Sequence, residues 1–227
     1  MRRTEDGTAL FPVSEIFDSI EGEGKRTGYM AVFVRFAGCN LRCTYCDTAY
    51  ALDEGDAERW MTEEEILSAV AAFPWKRVTL TGGEPLLQDI LPLCEALSDK
   101  GYAVNIETNG AVPLFDNRPA GVFYTLDYKC PDSGMEETMR PDNYPLLTEK
   151  DAVKFVVGSR RDLEAMRKVM ETVISALTEK PEIFVSPVWG KIDPKDIVEY
   201  IRQHGLQEAR IQLQLHKIIW DPSMRGV

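Results

Sequence analysis

Cys39, Cys43 and Cys46 fall within eight residues, in the segment Gly38-Cys39-Asn40-Leu41-Arg42-Cys43-Thr44-Tyr45-Cys46-Asp47-Thr48. Three thiolates at that spacing can wrap one corner of a 4Fe–4S cubane and ligate three of its four irons, whereas an electron-transfer cluster takes a fourth Cys. The remaining iron is then open to a small molecule that chelates through an amine and a carboxylate. A structural zinc site and three buried thiols are the competing readings. Zinc takes four protein ligands, typically in paired C-x-x-C units. Cys94 falls on an amphipathic stretch and Cys130 in a loop, so neither supplies such a pair, and only His204 and His216 could complete a set. His204 closes a helix and reads as a solvated C-terminal histidine.

A second chemical signal is Thr81-Gly82-Gly83-Glu84-Pro85. Glycines let a ligand approach the backbone closely. A Gly-Gly pair is by itself only a turn; one βα unit after the cysteines, it reads as part of a binding site. Arg35, Glu107, Asp127, Lys129 and Ser186 each stand at or just past the end of an apolar run.

These groups need a scaffold that brings strand ends together. The β-rich runs are 30–36, 77–81, 103–107, 123–127, 152–157, 182–186 and 209–215, several of them apolar at consecutive positions as strands buried on both faces are. Between them lie helices with start and stop signals. Thr62 and Glu65 form a capping box, Asp89 can cap a helix ending ahead of Gly101, and Ser159 can cap one with apolar positions from Leu163 to Leu177. Asp193-Pro194 opens a fourth helix that Gly205 closes. Alternation of this kind predicts an α/β fold with a mainly parallel sheet. A complete eightfold barrel takes about 250 residues and eight helices. Four helices and the loop-like stretches 108–121 and 129–150 point instead to a partial, open TIM-type barrel, with its chemistry at the C-terminal ends of the strands.

The chain has 227 residues and reads as a single domain over 1–227. Its net charge of −11 repels phosphate backbones, which argues against a nucleic-acid partner but not against a small anionic ligand held by a few local cations. The first seven residues lack an apolar signal segment, and no run reaches the roughly 18 apolar residues of a transmembrane helix, so the expected setting is cytosolic with no membrane partner. In such a reducing compartment, clustered cysteines serve metal or catalysis more often than disulfides.

Taken together, the cysteine motif and the Gly-Gly-Glu-Pro segment resemble those of the radical S-adenosylmethionine superfamily. Within it the chain is most similar to the 7-carboxy-7-deazaguanine synthase family. The segments that carry this are Ser19-Ile20-Glu21-Gly22-Glu23-Gly24, Gly38 to Tyr50, Thr81 to Gln88, Glu107-Thr108-Asn109-Gly110 and Gln214-Leu215-His216-Lys217. Glu21 departs from the Gln usual in that family.

The resemblance implies a ring contraction, in which 6-carboxy-5,6,7,8-tetrahydropterin becomes 7-carboxy-7-deazaguanine with loss of ammonia, in queuosine and deazapurine biosynthesis. A 5′-deoxyadenosyl radical would abstract hydrogen from the substrate and recover it, so S-adenosylmethionine acts as a cofactor. The resemblance assigns cluster ligation to Cys39, Cys43 and Cys46. S-adenosylmethionine would contact Tyr45, Cys46, Asp47, Gly82, Gly83, Glu84, Asp127, Lys129 and, more weakly, Ser186, with the Glu84 carboxylate receiving the methionine ammonium. The pterin would contact Ile20, Glu21, Gly22, Glu23, Arg35, Thr81 and His216, with Arg35 on its carboxylate. Of these, Glu23, Arg35 and His216, together with Glu107, are the candidates for groups acting at the reacting centre. Thr48 would hold Mg²⁺, an ion that often takes few protein ligands. A flavodoxin-like or ferredoxin-like electron donor and a homodimer are implied as well. The runner-up, a glycyl-radical-enzyme activase, shares the cysteine spacing and the Gly-Gly-Glu-Pro segment. Its motif usually continues with His-Asn, where this chain has Asp47-Thr48.

Overall fold

A computed structural model describes residues 2–227. Its strands are β1 (Arg2–Arg3), β2 (Ala9–Ile20), β3 (Met30–Phe36), β4 (Arg59–Met61), β5 (Arg77–Gly82), β6 (Ala103–Thr108), β7 (Val122–Tyr128), β8 (Ala152–Val157), β9 (Glu182–Pro187) and β10 (Ala209–Ile211). They form one sheet in the order β1-β2-β3-β5-β6-β7-β8-β9-β10, with β4 on β2. Every pairing from β3 to β10 is parallel, and β2 runs antiparallel to β3. No ladder joins β10 back to β1 or β2, so the sheet is an open, partial barrel.

In-register neighbours in a sheet share a face. Val34, Leu80, Ile106, Tyr124, Phe155 and Val185 lie on one face, all fully buried. Helices α1 (Glu63–Ala71), α2 (Leu91–Asp99), α3 (Arg160–Thr172) and α4 (Pro194–His204) contribute Ile66, Leu93, Met166 and Ile197 to the same apolar core. Each such side chain contributes roughly 1.5–3 kcal/mol on burial. The alternate positions carry polar groups: Arg35 opposes Thr81, Glu107 opposes Thr125, and Asp127 opposes Lys154. The inner face is therefore polar, where a complete barrel would be packed with branched apolar residues.

Local signals explain most element ends. The Thr62 hydroxyl accepts from the Glu65 N–H at 3.2 Å while Glu65 accepts from the Thr62 N–H at 2.7 Å, completing the capping box of α1. Asp193 caps α4, which ends at Gly205 in the left-handed conformation. Elsewhere the structure corrects the sequence. The cap of α2 is Ile90 and not Asp89, and Ser159 heads α3 without a capping bond. The helical spacing through Leu177 breaks at Thr172 into a separate 3₁₀ turn, Ile174–Ala176.

The run 209–215 leaves the sheet after Ile211, because Gln212 turns to the loop after β2: its Oε1 accepts from the Gly24 N–H at 2.6 Å and its Nε2 donates to the Gly24 carbonyl at 3.1 Å. A short helix, α5 (Leu215–Ile219), follows. Strand β2 was not anticipated; Pro12 and a bulge between Val13 and Glu15 break its period-two pattern.

Candidate active site

Because β3 and β5 to β9 are parallel, the segments that follow them emerge at one edge. The cluster loop leaves β3 and is fastened by its own backbone: the Gly38 N–H donates to Ala51 at 2.9 Å and the Cys39 N–H to Leu52 at 2.8 Å. Its far side is tied to the segment after β7, where the Thr44 N–H and hydroxyl donate to the Ser133 and Asp132 carbonyls at 3.1 and 2.6 Å. Cys39, Cys43 and Cys46 are half-buried free thiols, whereas Cys94 and Cys130 are fully buried in the core. Burial raises the Cys43 and Cys46 thiols; at Cys43 the neighbouring Lys129 ammonium opposes it. Three unpaired sulfurs on one braced loop, with the other cysteines sealed away, are a donor set that fits a three-thiolate cubane. Among the described residues no three His, Cys, Asp or Glu side chains gather as a single ion would require.

The glycines after β5 have an intramolecular reason. A Cβ on Gly82, whose φ is +128°, would lie 2.1 Å from the Phe36 oxygen. One on Gly83 would lie 2.2 Å from the Gly38 oxygen and 2.7 Å from the Ala51 oxygen. The motif seats the cluster loop directly on the end of β5, and ligand approach is not the only demand on it.

Glu84 also turns inward. It is fully buried; the Leu86 N–H and the Thr108 hydroxyl donate to its Oε1 at 3.0 and 2.9 Å, and the Asn109 N–H donates to its Oε2 at 2.6 Å. The carboxylate knits the turn after β5 to the end of β6, so its expected direct grip on an ammonium would require displacing one of these donors. Burial pushes its pKa up to about 7, with the three donors opposing. A folded pKa above the unfolded one gives stability that is full below the unfolded value and is lost as pH rises through the folded value. Between about pH 5 and about pH 8, wild-type protein should lose on the order of 3 kcal/mol relative to Glu84→Gln in denaturant melts. Equal slopes for the two proteins would refute this.

The strand-borne candidates converge on the polar inner face, whereas Asp47 and Thr48 stay on the cluster loop and Glu21 and Tyr45 turn elsewhere. Glu21 is 1% exposed, ion-paired with Arg26, and accepts from the Thr79 hydroxyl at 2.6 Å. Arg26 also donates to the carbonyls of Val78 and Ala103, at the N-terminal ends of β5 and β6. Glu21 thus faces the opposite end of the barrel from the cluster. The Tyr45 hydroxyl donates to the Val156 carbonyl at 3.2 Å, which ties the cluster loop to β8 and leaves the ring, not the hydroxyl, to line a ligand.

Glu15 holds the Nε of Arg35 at 2.6 Å, and no hydrogen bond among the described residues uses its two terminal nitrogens. The Thr81 hydroxyl donates to Glu107 at 2.8 Å, and burial raises the Glu107 carboxyl despite the nearby Lys154. Lys129 reaches Asp127 at 2.9 Å. Ile20 ends β2 and leads into Gly22, on which the His216 ring lies so closely that a Cβ there would be 2.0 Å from Nδ1. Lys217 Nζ reaches Asp47 Oδ2 at 2.8 Å, tying α5 to the cluster loop. Thr48 precedes the 3₁₀ turn Ala49–Ala51, yet its hydroxyl makes no capping bond and contacts only Asp47, at 3.1 Å.

Buried oxygens without a partner mark the same mouth: Glu23 Oε1, Ser186 Oγ and Gln214 Oε1. The sequence does not single out Lys154, and it places Gln214 and Asn109 in family-like segments without giving either a role. The Asn109 Nδ2 approaches Cys39 Sγ at 3.7 Å. A lone cation inside the apolar run of β8 was the available signal for Lys154.

The Radical SAM superfamily domain matches residues 33–132, from within β3 to just beyond β7. That match and the braced three-cysteine loop on an open parallel barrel define a radical S-adenosylmethionine protein. Over 225 residues the chain is 47% identical to the 7-carboxy-7-deazaguanine synthase of Clostridium acetobutylicum, covering 96% of this chain and 99% of that one. It is 38% identical to the enzyme of the same name from Koribacter versatilis, over 95% and 99% of the two chains. The crystal structure of QueE from Escherichia coli shares the fold, with a TM-score of 0.74 at 24% identity over 90% of this chain and 94% of that one. The chain belongs to the 7-carboxy-7-deazaguanine synthase family.

Proposed function

We propose that this chain is the lyase that contracts 6-carboxy-5,6,7,8-tetrahydropterin to 7-carboxy-7-deazaguanine with release of ammonia, in the route to queuosine and related deazapurines. The observation that carries this reading is the 47% identity over 96% of the chain to a synthase of that name. Cys39, Cys43 and Cys46 would hold the cluster, and Gly82, Gly83, Asp127, Lys129 and Ser186 would border S-adenosylmethionine. When bound, these groups supply one-electron cleavage of a sulfonium and, through it, hydrogen-atom abstraction.

The chain's own residues orient and enclose the substrate. The free terminal nitrogens of Arg35 suit a carboxylate held in a planar fork. The unpartnered Glu23 Oε1 is an acceptor for the amino and N–H edge of a pterin. His216, seated on Gly22, covers that edge, and Thr81 with Glu107 lies beneath. Anaerobic incubation of reconstituted protein with S-adenosylmethionine, a reductant and the carboxytetrahydropterin should yield the deazaguanine and ammonia. Cofactor cleavage with the pterin untouched, or radical transfer to a protein, would favour the activase.

Magnesium, the donor, the homodimer and a cytosolic setting belong to the same proposal. No described helix is long and apolar enough to cross a membrane. Ile211 and Leu213 near the edge strand β10, Trp189 after β9, and Ile218 and Ile219 on α5 are exposed, as an interface between copies would use. The uncapped hydroxyl of Thr48 is the observation that motivates a magnesium role. Thr48→Ala should lose about tenfold or more of the stimulation that Mg²⁺ gives metal-depleted enzyme, since a slightly misplaced substrate loses its reacting geometry. Cluster content should stay normal. Superimposable Mg²⁺ curves for variant and wild type would sink the metal role.

A further inference from the structure

At the centre of the inner face sits a charge to which the reading above gives no part. Lys154 points inward from β8 and is 7% exposed, the one charged residue in the strand Ala152–Val157. Its Nζ lies 3.1 Å from Glu23 Oε2 and 3.2 Å from Asp127 Oδ1. Gln214 Nε2 donates to the same Glu23 oxygen at 3.3 Å. Both contacts on Glu23 therefore fall on Oε2, and Oε1 is left buried and unpaired. Asp127 lies between two cations: Lys129 donates to its Oδ2 at 2.9 Å, and Lys154 stands near Oδ1 as an ion pair that leaves this oxygen without a hydrogen bond.

Resting on the proposed function, we infer that Lys154 is a positioning residue that holds Glu23 toward the pterin and Asp127 toward the sulfonium cofactor, and so keeps the two ligands in one register. A compact ammonium suits this bridging, since its donors radiate from one point and reach two carboxylates in different directions. Lys154 and Lys129 balance Glu23 and Asp127 on the buried inner face. Without Lys154, the Glu23 carboxylate is left facing Asp127, with the Gln214 amide, the His216 imidazole and the Ser186 hydroxyl as its other neighbours. Lys129 would then balance only one of the two acids, and Glu107 nearby adds a third carboxyl. A buried carboxyl stripped of its cation takes up a proton. A Glu23 protonated on Oε1 no longer offers its one free acceptor oxygen to the pterin's amino edge.

The alternative is an ion pair that only stabilises the fold, and the two roles differ in how ligand binding responds to pH. Reconstituted wild type, Lys154→Met and Lys154→Arg are titrated anaerobically with the carboxytetrahydropterin, with and without S-adenosylmethionine, by calorimetry from about pH 6.5 to about pH 9. Wild-type affinity should be nearly flat, because burial, the largest influence on Glu23, is outweighed only by Lys154 together with the Ser186 hydroxyl and His216, which hold the carboxyl below its usual range. Lys154→Met should bind the pterin roughly tenfold or more weakly near neutrality, and recover as pH rises and Glu23 ionises. S-adenosylmethionine should also strengthen pterin binding less in that variant than in wild type. Lys154→Arg should restore the flat profile.

Wild-type affinity in Lys154→Met, or a loss of equal size at every pH, would overturn the positioning role. If Lys154→Met fails to fold or to take up iron, Lys154→Gln, of similar length but uncharged, carries the same two readouts. Failure of wild type itself to bind the pterin would overturn the proposed function, and this inference with it.

Discussion

Anaerobically reconstituted Cys43→Ala protein should retain almost no cluster iron and cleave no S-adenosylmethionine, while folding close to normally. The iron should go because Cys39 and Cys46 alone leave two irons of the cubane without protein ligands, and Cys94 and Cys130 are sealed in the core and cannot substitute. The fold should survive because the cluster loop does not depend on its thiols for shape. Backbone bonds to Ala51, Leu52 and Ser133, and side-chain bonds from Thr44 and Tyr45, hold it on three sides. Replacing a half-buried thiol with a methyl group should therefore shift apo-protein stability by about 0.5 kcal/mol or less. Cys130→Ala should behave in the opposite way, keeping its iron while losing about 1 kcal/mol or more to a small cavity. Iron analysis and denaturant melts of both variants decide the matter. A full iron complement in Cys43→Ala would overturn the ligand set.

How far the sequence carried the fold depended on where the side-chain period was clean. Strand β8 was read with its observed bounds because Val153, Phe155 and Val157 pack on the helices while its other positions stay small or apolar around a single Lys. Strand β2 escaped because it serves antiparallel neighbours on both edges, with Pro12 opposite Trp60 and a bulge that shifts its facing residues. Its acidic positions look like loop until Arg35 and Trp75 are seen to pair with Glu15 and Asp18. The run 209–215 was overestimated for a tertiary reason. The Gln212 N–H still donates to Val185 of β9 at 2.8 Å, but its side chain is drawn to both backbone groups of Gly24 and the chain turns away beyond it.

The candidate site was legible in its motifs and much less so in its directions. Motifs report which residues stand at strand ends, but whether a carboxylate faces the mouth or the interior depends on donors elsewhere in the chain. Glu84 and Glu21 look like ligand-binding acids in sequence. Both turn out to be spent on partners 24 to 58 residues away, namely Thr108 and Asn109 for the first and Thr79 for the second. The Glu that stands at position 21 finds its physical reason in the Arg26 guanidinium, whose charge a neutral Gln would leave unpaired in a buried setting. Lys154 and the role of Gln214 escaped for the converse reason. Lys154 sits in a run that reads as strand and Gln214 in a segment whose motif gives it no direction, and only the fold brings them to the same oxygen of Glu23.

Gly83→Val should fail at the cluster before it fails at the cofactor. If the glycine served only to admit the methionine group, a larger side chain would weaken S-adenosylmethionine binding and leave the iron in place. The backbone contacts argue for an earlier defect. The first carbon of any side chain at Gly83 would stand 2.2 Å from the Gly38 oxygen and 2.5 Å from its carbonyl carbon, and both atoms belong to the residue before Cys39. Backbone atoms cannot swing aside as a flexible side chain can. The Glu84 N–H bond to the Gly38 carbonyl, at 2.8 Å, would have to break if the loop moved. Overpacking against backbone costs about 1–3 kcal/mol or more, and here the displaced segment carries the first thiolate ligand. The expected result is a destabilised protein with little iron after reconstitution, and Gly83→Ala should already share much of the defect because the clash begins at Cβ. Iron content, melting in denaturant and calorimetric S-adenosylmethionine binding should be measured on both variants. Full iron with weakened cofactor binding would instead show that the loop yields, and that the glycine is there for the ligand.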